Sequence, residues 1–203
     1  MRTLFFIILV LALRVTLSAQ SRPSDLLDSM SLALHTEYTS LEEALKNPHD
    51  IIKLNLRKQK LKQFPIEILE LKNLQYLDIS RNSIKELPDS IVNLKNLQYL
   101  IASRTGLERL PVNIGQLKNL RHLNVNQNEI EILPFSFGDL ENLEVADLWS
   151  NNLDYFPESM VKLKNLKWMD LRNILIPQQH QDNIQNMLPN TIINFSPACN
   201  CAW

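Results

Sequence analysis

The chain has 203 residues, 45% hydrophobic and 21% charged, with a formal charge of −1 at neutral pH, a balance that argues against a basic nucleic-acid-binding domain. Its three glycines, Gly106, Gly115 and Gly138, form no phosphate-cradling loop. Its two cysteines, Cys199 and Cys201, sit together at the end of the chain, so no disulfide framework runs through a core. At the start, MRTLFFIILVLALRVTLSAQ joins an early arginine to an apolar run from Leu4 to Leu13 and ends on small Ser18 and Ala19. That predicts a signal peptide over 1–19 and a secreted or periplasmic protein with no stable membrane span after cleavage; the alternative is an uncleaved anchor. Residues 20–38 read as a linker with one loose helical turn, on a weak apolar pattern at Leu26, Leu27, Met30 and Leu34. An N-terminal capping helix is predicted within 39–50. Ser40 and Glu43 have capping-box spacing, Leu41, Ala44 and Leu45 share one face, and Asn47 and Pro48 stop the run.

From Ile51 to Ile176 the chain repeats with a period of 23 residues, marked by Pro65, Pro88, Pro111, Pro134 and Pro157 and by Asn73, Asn96, Asn119, Asn142 and Asn165. Six units start at Ile51, Leu74, Leu97, Leu120, Leu143 and Leu166, the last incomplete. Apolar residues at the fourth and sixth positions, such as Leu77 with Ile79, give the period of two of a short strand with one face inward. Apolar residues after the proline, such as Ile91 with Leu94, have the spacing of a short helical turn, and proline suits the start of such a turn. Each unit offers about seven apolar side chains, roughly 1.5 to 3 kcal/mol gross for each one fully buried, too little to offset its own ordering entropy. Stacked units bury enough. At the ninth position, where the strand gives way to a turn, Asn82, Asn128 and Asn151 are predicted to form a ladder that satisfies loose backbone groups. Gln59, Thr105 and Ile174 replace them elsewhere, and Ile174 has no polar group to do so.

The pattern LxxLxLxxNxLxxLPxxIxxLxNL at 74–97 and 120–143 resembles the leucine-rich repeat, in the 23-residue form common among bacterial and Ras-group-like repeat proteins. The resemblance covers about 51–176. The helical lead-in and the CNC ending are similar to those of secreted bacterial members, and the four-cysteine caps of animal extracellular members are absent. It implies an α/β leucine-rich repeat solenoid, with a curved parallel sheet on the concave side and short helical or 3-10 turns on the convex side. Beyond it, 177–203 reads as a C-terminal cap, with a polar helix placing Ile184, Met187 and Leu188 inward and an edge strand over Thr191–Phe195. For Cys199 and Cys201 a strained disulfide, two free thiols and pairing with another chain remain open.

The resemblance also implies a concave face that binds a partner, through side chains at the outward strand positions. The third position carries Lys53, Tyr76, Tyr99, His122, Val145 and Trp168; the fifth carries Asp78, Asn124, Asp147 and Asp170; the seventh carries Trp149 and Arg172; Arg81 and Arg104 stand at the rim. An aromatic patch of Tyr76, Tyr99, His122, Trp149 and Trp168 with carboxylates beside it has the composition of a protein interface, although aromatics also suit strands simply as strand formers. Catalysis is not expected. His122 has no nucleophile in phase with it, and Asp147 with Asp170 could make a carboxylate pair or cation site but comes with no cofactor motif. The expectation is therefore a non-catalytic module without a cofactor or metal, binding a protein partner and no nucleic acid. The alternatives are a cell-envelope carbohydrate-binding protein, with sugars stacked on the aromatic ladder, or an intracellular signalling scaffold if the leader is misread.

Overall fold

The alternating apolar positions form one open sheet of eight parallel strands in chain order, in a computed structural model that describes residues 25–199. The strands are β1 (Glu37–Tyr38), β2 (Lys53–Asn55), β3 (Tyr76–Asp78), β4 (Tyr99–Ile101), β5 (His122–Asn124), β6 (Val145–Asp147), β7 (Trp168–Leu171) and β8 (Ile192–Phe195). From β2 to β7 each residue pairs with the one a full repeat later, as in Tyr76 with Tyr99 and Tyr99 with His122. The expected signal peptide and Cys201 lie outside the described residues. Cys199 is disulfide-bonded, which removes the free-thiol alternative.

Two local devices keep the strands short. At the fifth position a side-chain oxygen of Asn55, Asp78, Asn124, Asp147 or Asp170 accepts the backbone N–H two residues on, between 2.8 and 3.3 Å, which bends the chain out of the ladder. At the eighth position Lys58, Arg81, Arg104, Gln127, Ser150 and Asn173 all adopt left-handed φ between 54° and 60°. Such a conformation costs an ordinary side chain about 1 to 2 kcal/mol, so the stacked neighbours impose it.

Inside, the seven apolar positions of the second repeat, Leu74, Leu77, Ile79, Ile84, Leu87, Ile91 and Leu94, are all buried, and the same positions recur in one continuous core. The returning segments are 3-10 helices: Ile66–Glu70, Asp89–Asn93, Ile114–Gln116, Phe135–Asp139 and Glu158–Lys162. Pro65, Pro88, Pro134 and Pro157 stand immediately before four of them with φ between −66° and −71°. Their carbonyls accept the first turn's hydrogen bonds, from Ile68, Ile91, Phe137 and Met160. The asparagine ladder is built as its position suggests. Asn82 Nδ2 donates to the carbonyls of Leu56 and Ile79, and Asn151 Nδ2 to those of Val125 and Leu148, while their oxygens accept Leu61 N–H and Ile130 N–H. Thr105 partly replaces an asparagine by donating its hydroxyl to Ala102 O.

The ends differ from the sequence reading in one respect. The stretch read as a linker has its helical turn as helix α1 (Ser29–Leu34), capped by Asp28, but also contributes strand β1, which pairs with β2 through Glu37 and Tyr38. Capping helix α2 (Leu41–Ala44) follows. Ser40 Oγ accepts Glu43 N–H at 3.3 Å, Ala44 is buried, and Leu41 and Leu45 pack on the core. Residues 25–27 are tied further along the array, since Gln75 and Gln98 are fully buried beneath them. Gln75 bonds Asp25 O and Leu27 N, and Gln98 bonds Leu27 O. Helix α3 (Gln178–Met187) and β8 close the other end, with Ile184 buried on the core side.

Candidate functional sheet face

Parallel pairing stacks equivalent residues about 4.8 Å apart, so the third position becomes a continuous row on the open sheet face. Glu37 pairs with Lys53 at 3.4 Å, and Lys53 Nζ lies 5.1 Å over the Tyr76 ring. Tyr76 and Tyr99 follow at 5.9 Å between centroids, then Tyr99 and His122 stack at 4.4 Å with an interplanar angle of 11°. All three rings are half-buried. Val145 interrupts the row before Trp168, and Trp149, two residues past the end of β6, stacks on no other ring among the described residues. The predicted patch is thus one stacked ladder over three repeats plus two separate tryptophans.

Burial governs the ionisation of the ladder. It pushes the Tyr76 phenol up to about 12, with Asp78 and Glu37 adding to the effect. It also raises Tyr99, and it lowers His122 from an ordinary value of 6.5 despite the opposing influence of Glu144. At neutral pH the rings are uncharged and only Lys53 at the end of the row is cationic. Because the folded His122 binds a proton less readily than the unfolded chain, stability falls as pH drops through the ordinary histidine value. His122→Phe keeps the stack and removes the titration. Its unfolding midpoint is expected to lose part of the wild-type fall between about pH 7 and pH 5, and an unchanged slope would show that His122 does not contribute.

At the fifth position the structure corrects the reading. Asp78 and Asp170 are only 5% and 2% exposed. Asp78 bonds the amide and hydroxyl of Ser80. Asp170 is gripped by Arg172, whose Nη2 lies 2.6 Å away. These carboxylates are committed to the turn that ends each short strand, where they accept the N–H two residues on. Asp147 and Asp170 are strand neighbours, but Asp147 has its own partner in Asn126 Nδ2 at 2.6 Å, and burial raises its carboxyl above the usual range. Asn124 is likewise tied to Asn126 N–H. No group of three metal-ligating side chains is assembled among the described residues. Arg81 and Arg104 stand exposed at the rim on left-handed backbone, Arg104 bonding Gln127 Oε1. What remains accessible is Tyr76, Tyr99, His122, Trp149 and Trp168, with the Arg81, Arg104 and Arg172 guanidiniums along one side.

Two structural sets went unassigned by sequence reasoning. The asparagines one residue before the second to sixth repeats form an outer ladder, with Asn96, Asn119, Asn142 and Asn165 each donating to a carbonyl of the preceding repeat and Asn73 to that of His49 in the lead-in. Their periodicity was visible, but their bonding partners were not. The Gln75–Gln98 clamp had no periodic signal, since Arg121, Glu144 and Lys167 hold the same position in later repeats.

Comparison with known proteins agrees with the architecture. A leucine-rich repeat region model matches residues 43–126, and a Leucine Rich Repeat model matches 119–140. No curated protein sequence matches the chain. Among solved structures, a leucine-rich repeat protein of Leptospira interrogans is 30% identical with a TM-score of 0.66 over 82% of this chain and 49% of its own, so the chain spans about half of that protein. The plant peptide hormone receptor RGFR1, in complex with RGF2, is similar at 24% identity and a TM-score of 0.61, over 82% of this chain and 28% of the receptor. The ectodomain of the receptor kinase GASSHO1/SCHENGEN3 from Arabidopsis thaliana, in complex with CASPARIAN STRIP INTEGRITY FACTOR 2, reaches 23% and 0.61 over 73% of this chain and 18% of its own. The in-phase repeats, the parallel sheet with its 3-10 turns and these matches together make the chain a leucine-rich repeat protein.

Proposed function

We propose that the chain is a non-catalytic binding module that recognises a protein partner on the open sheet face, in a secreted or periplasmic setting. The observation that carries this reading is the half-buried ladder of Tyr76, Tyr99 and His122 with its cationic end at Lys53. Stacked rings held rigid by the sheet lose little entropy on binding and offer a large contact area, the quality of interface anchors. The two plant receptors of the same fold were captured in complexes, RGFR1 with RGF2 and GASSHO1/SCHENGEN3 with CASPARIAN STRIP INTEGRITY FACTOR 2. No helix among the described residues is long and apolar enough to cross a membrane.

The test is crosslinking and pull-down from the native compartment with the wild-type chain and a Tyr99→Ser, Trp168→Ala double variant. Capture of the wild-type partner is expected to weaken by roughly tenfold to a hundredfold, in the range of interface hot spots, while the melting temperature falls by only a few degrees. Undiminished capture would place recognition elsewhere. Binding to a glycan array that depends on the same two residues would favour the carbohydrate reading instead.

A further inference from the structure

The side opposite the sheet holds a cavity of about 800 Å3, within the roughly 300–1,000 Å3 of ligand-binding clefts. It lies between the turn side of the fifth repeat, Asp154 to Val161, and the His180–Met187 flank of α3. Helix α3 takes the place where another 3-10 turn would stack, and its wider cylinder leaves a trough against Glu158–Lys162. Half of its lining is apolar, and Asp154, Glu158 and His180 are among the polar half.

Its walls include Tyr155 and Val161, exposed by 51% and 43%, with Met187 across from them. The apolar surface continues outside, because Tyr155 bridges backbone to backbone with Ile132, itself 54% exposed. Elsewhere on the turn side some carboxylates are paired with a cation one repeat away, Glu86 with Arg109, Glu141 with Lys118 and Asp139 with Lys162, whereas Asp89 and Glu131 stand in no ion pair among the described residues. Asp154 and Glu158 line the cavity and, among the described residues, have no lysine or arginine within ion-pair distance. An exposed apolar surface edged by two unneutralised carboxylates is complementary to a chain segment that is both apolar and basic.

We infer that this cavity is a second docking site, separate from the sheet face, for a polypeptide segment of a partner in which a lysine or arginine is flanked by aliphatic or aromatic side chains. The aliphatic stem of the basic residue lies along Tyr155 and Val161 while its head meets Asp154 and Glu158.

The probe is a short fluorescent peptide alternating leucine and lysine, titrated by anisotropy into the wild-type chain at moderate salt. Two control peptides replace lysine by glutamate or leucine by serine. The leucine–lysine peptide is expected to bind at least about tenfold more tightly than either control. Asp154→Lys with Glu158→Lys is expected to weaken it by about tenfold or more, as for loss of a desolvated charge contact, and Trp168→Ala on the sheet face to leave it unchanged. Both charge reversals are at exposed positions, and an unaltered melting curve confirms that the fold is kept. No binding, equal binding of the glutamate peptide, or insensitivity to the charge reversal overturns the site, as does dependence on Trp168 instead. Concentration-dependent self-association abolished by the same reversal would assign the cavity to a second copy of the chain and overturn the partner stated here. Equal affinity for free n-butylamine would assign it to small amines, with the same consequence.

Discussion

Asn128→Leu is expected to lower unfolding stability by about 3 to 5 kcal/mol, among the largest effects available to a single polar substitution. The side chain is 7% exposed and serves two strand ends at once. Its Nδ2 donates to Ala102 O and Val125 O, both at 2.8 Å, and its Oδ1 accepts the N–H groups of Thr105, Gly106 and Leu107 at 2.9 to 3.0 Å. Leucine has the same number of side-chain heavy atoms but is bulkier, and it satisfies none of them. Each buried group left without a partner costs about 1 to 3 kcal/mol, and water entering beside the exposed Arg104 recovers part of the sum. Asn82→Leu is expected to cost less, because the Asn82 oxygen holds one N–H, that of Leu61. Chemical denaturation of the two variants checks the order. Equal midpoints for Asn128→Leu and wild type would mean that the ladder does not hold the strand ends.

Gly138→Ala is expected to cost about 3 kcal/mol or more, although alanine is ordinarily the better helical residue by up to about 1 kcal/mol. A Cβ on Gly138 would stand 2.1 Å from the carbonyl oxygen of Ser159 and 2.3 Å from its carbonyl carbon, and backbone cannot swing aside as a side chain can. Gly115, one repeat earlier, meets Ser136 O at 2.0 Å in the same way. The closeness is made by the serines, since Ser136 and Ser159 donate their hydroxyls back to Val112 O and Phe135 O and draw each turn onto the last. Gly106→Ala is the control. Gly106 has left-handed φ of 78° but nothing within 4 Å of a Cβ, so its loss is expected to be only about 1 kcal/mol. Thermal unfolding separates the two, with a drop of roughly 10 °C for Gly138→Ala at the 2 to 4 °C per kcal/mol of a chain this size. A smaller loss for Gly138→Ala than for Gly106→Ala would refute the close-packing explanation.

The architecture was legible in the sequence because solenoid packing repeats one local solution. Leu77 and Ile79 need only their spacing to be placed inward, and Asn82 only its place at the strand end to be read as a backbone partner. The stacking of Tyr76, Tyr99 and His122 followed from the same register, since parallel strands bring equivalent positions side by side. Asp78 and Asp170 escaped this logic. Their position in the pattern points outward, yet the turn that ends each short strand captures their carboxylates, and that competition is settled by local backbone geometry.

Sequence by itself therefore determined the repeat, the inward faces and the order of the strands, because those depend on periodicity and on contacts between equivalent residues of adjacent units. Tertiary structure decided what periodicity cannot encode. It placed residues 25–27 over Gln75 and Gln98, made β1 the first strand of the sheet, and set Asp154 and Glu158 beside the cavity formed against α3. Each of these arises at an end of the array or between segments far apart in the chain, where the contacts are made once and no second copy of the pattern announces them.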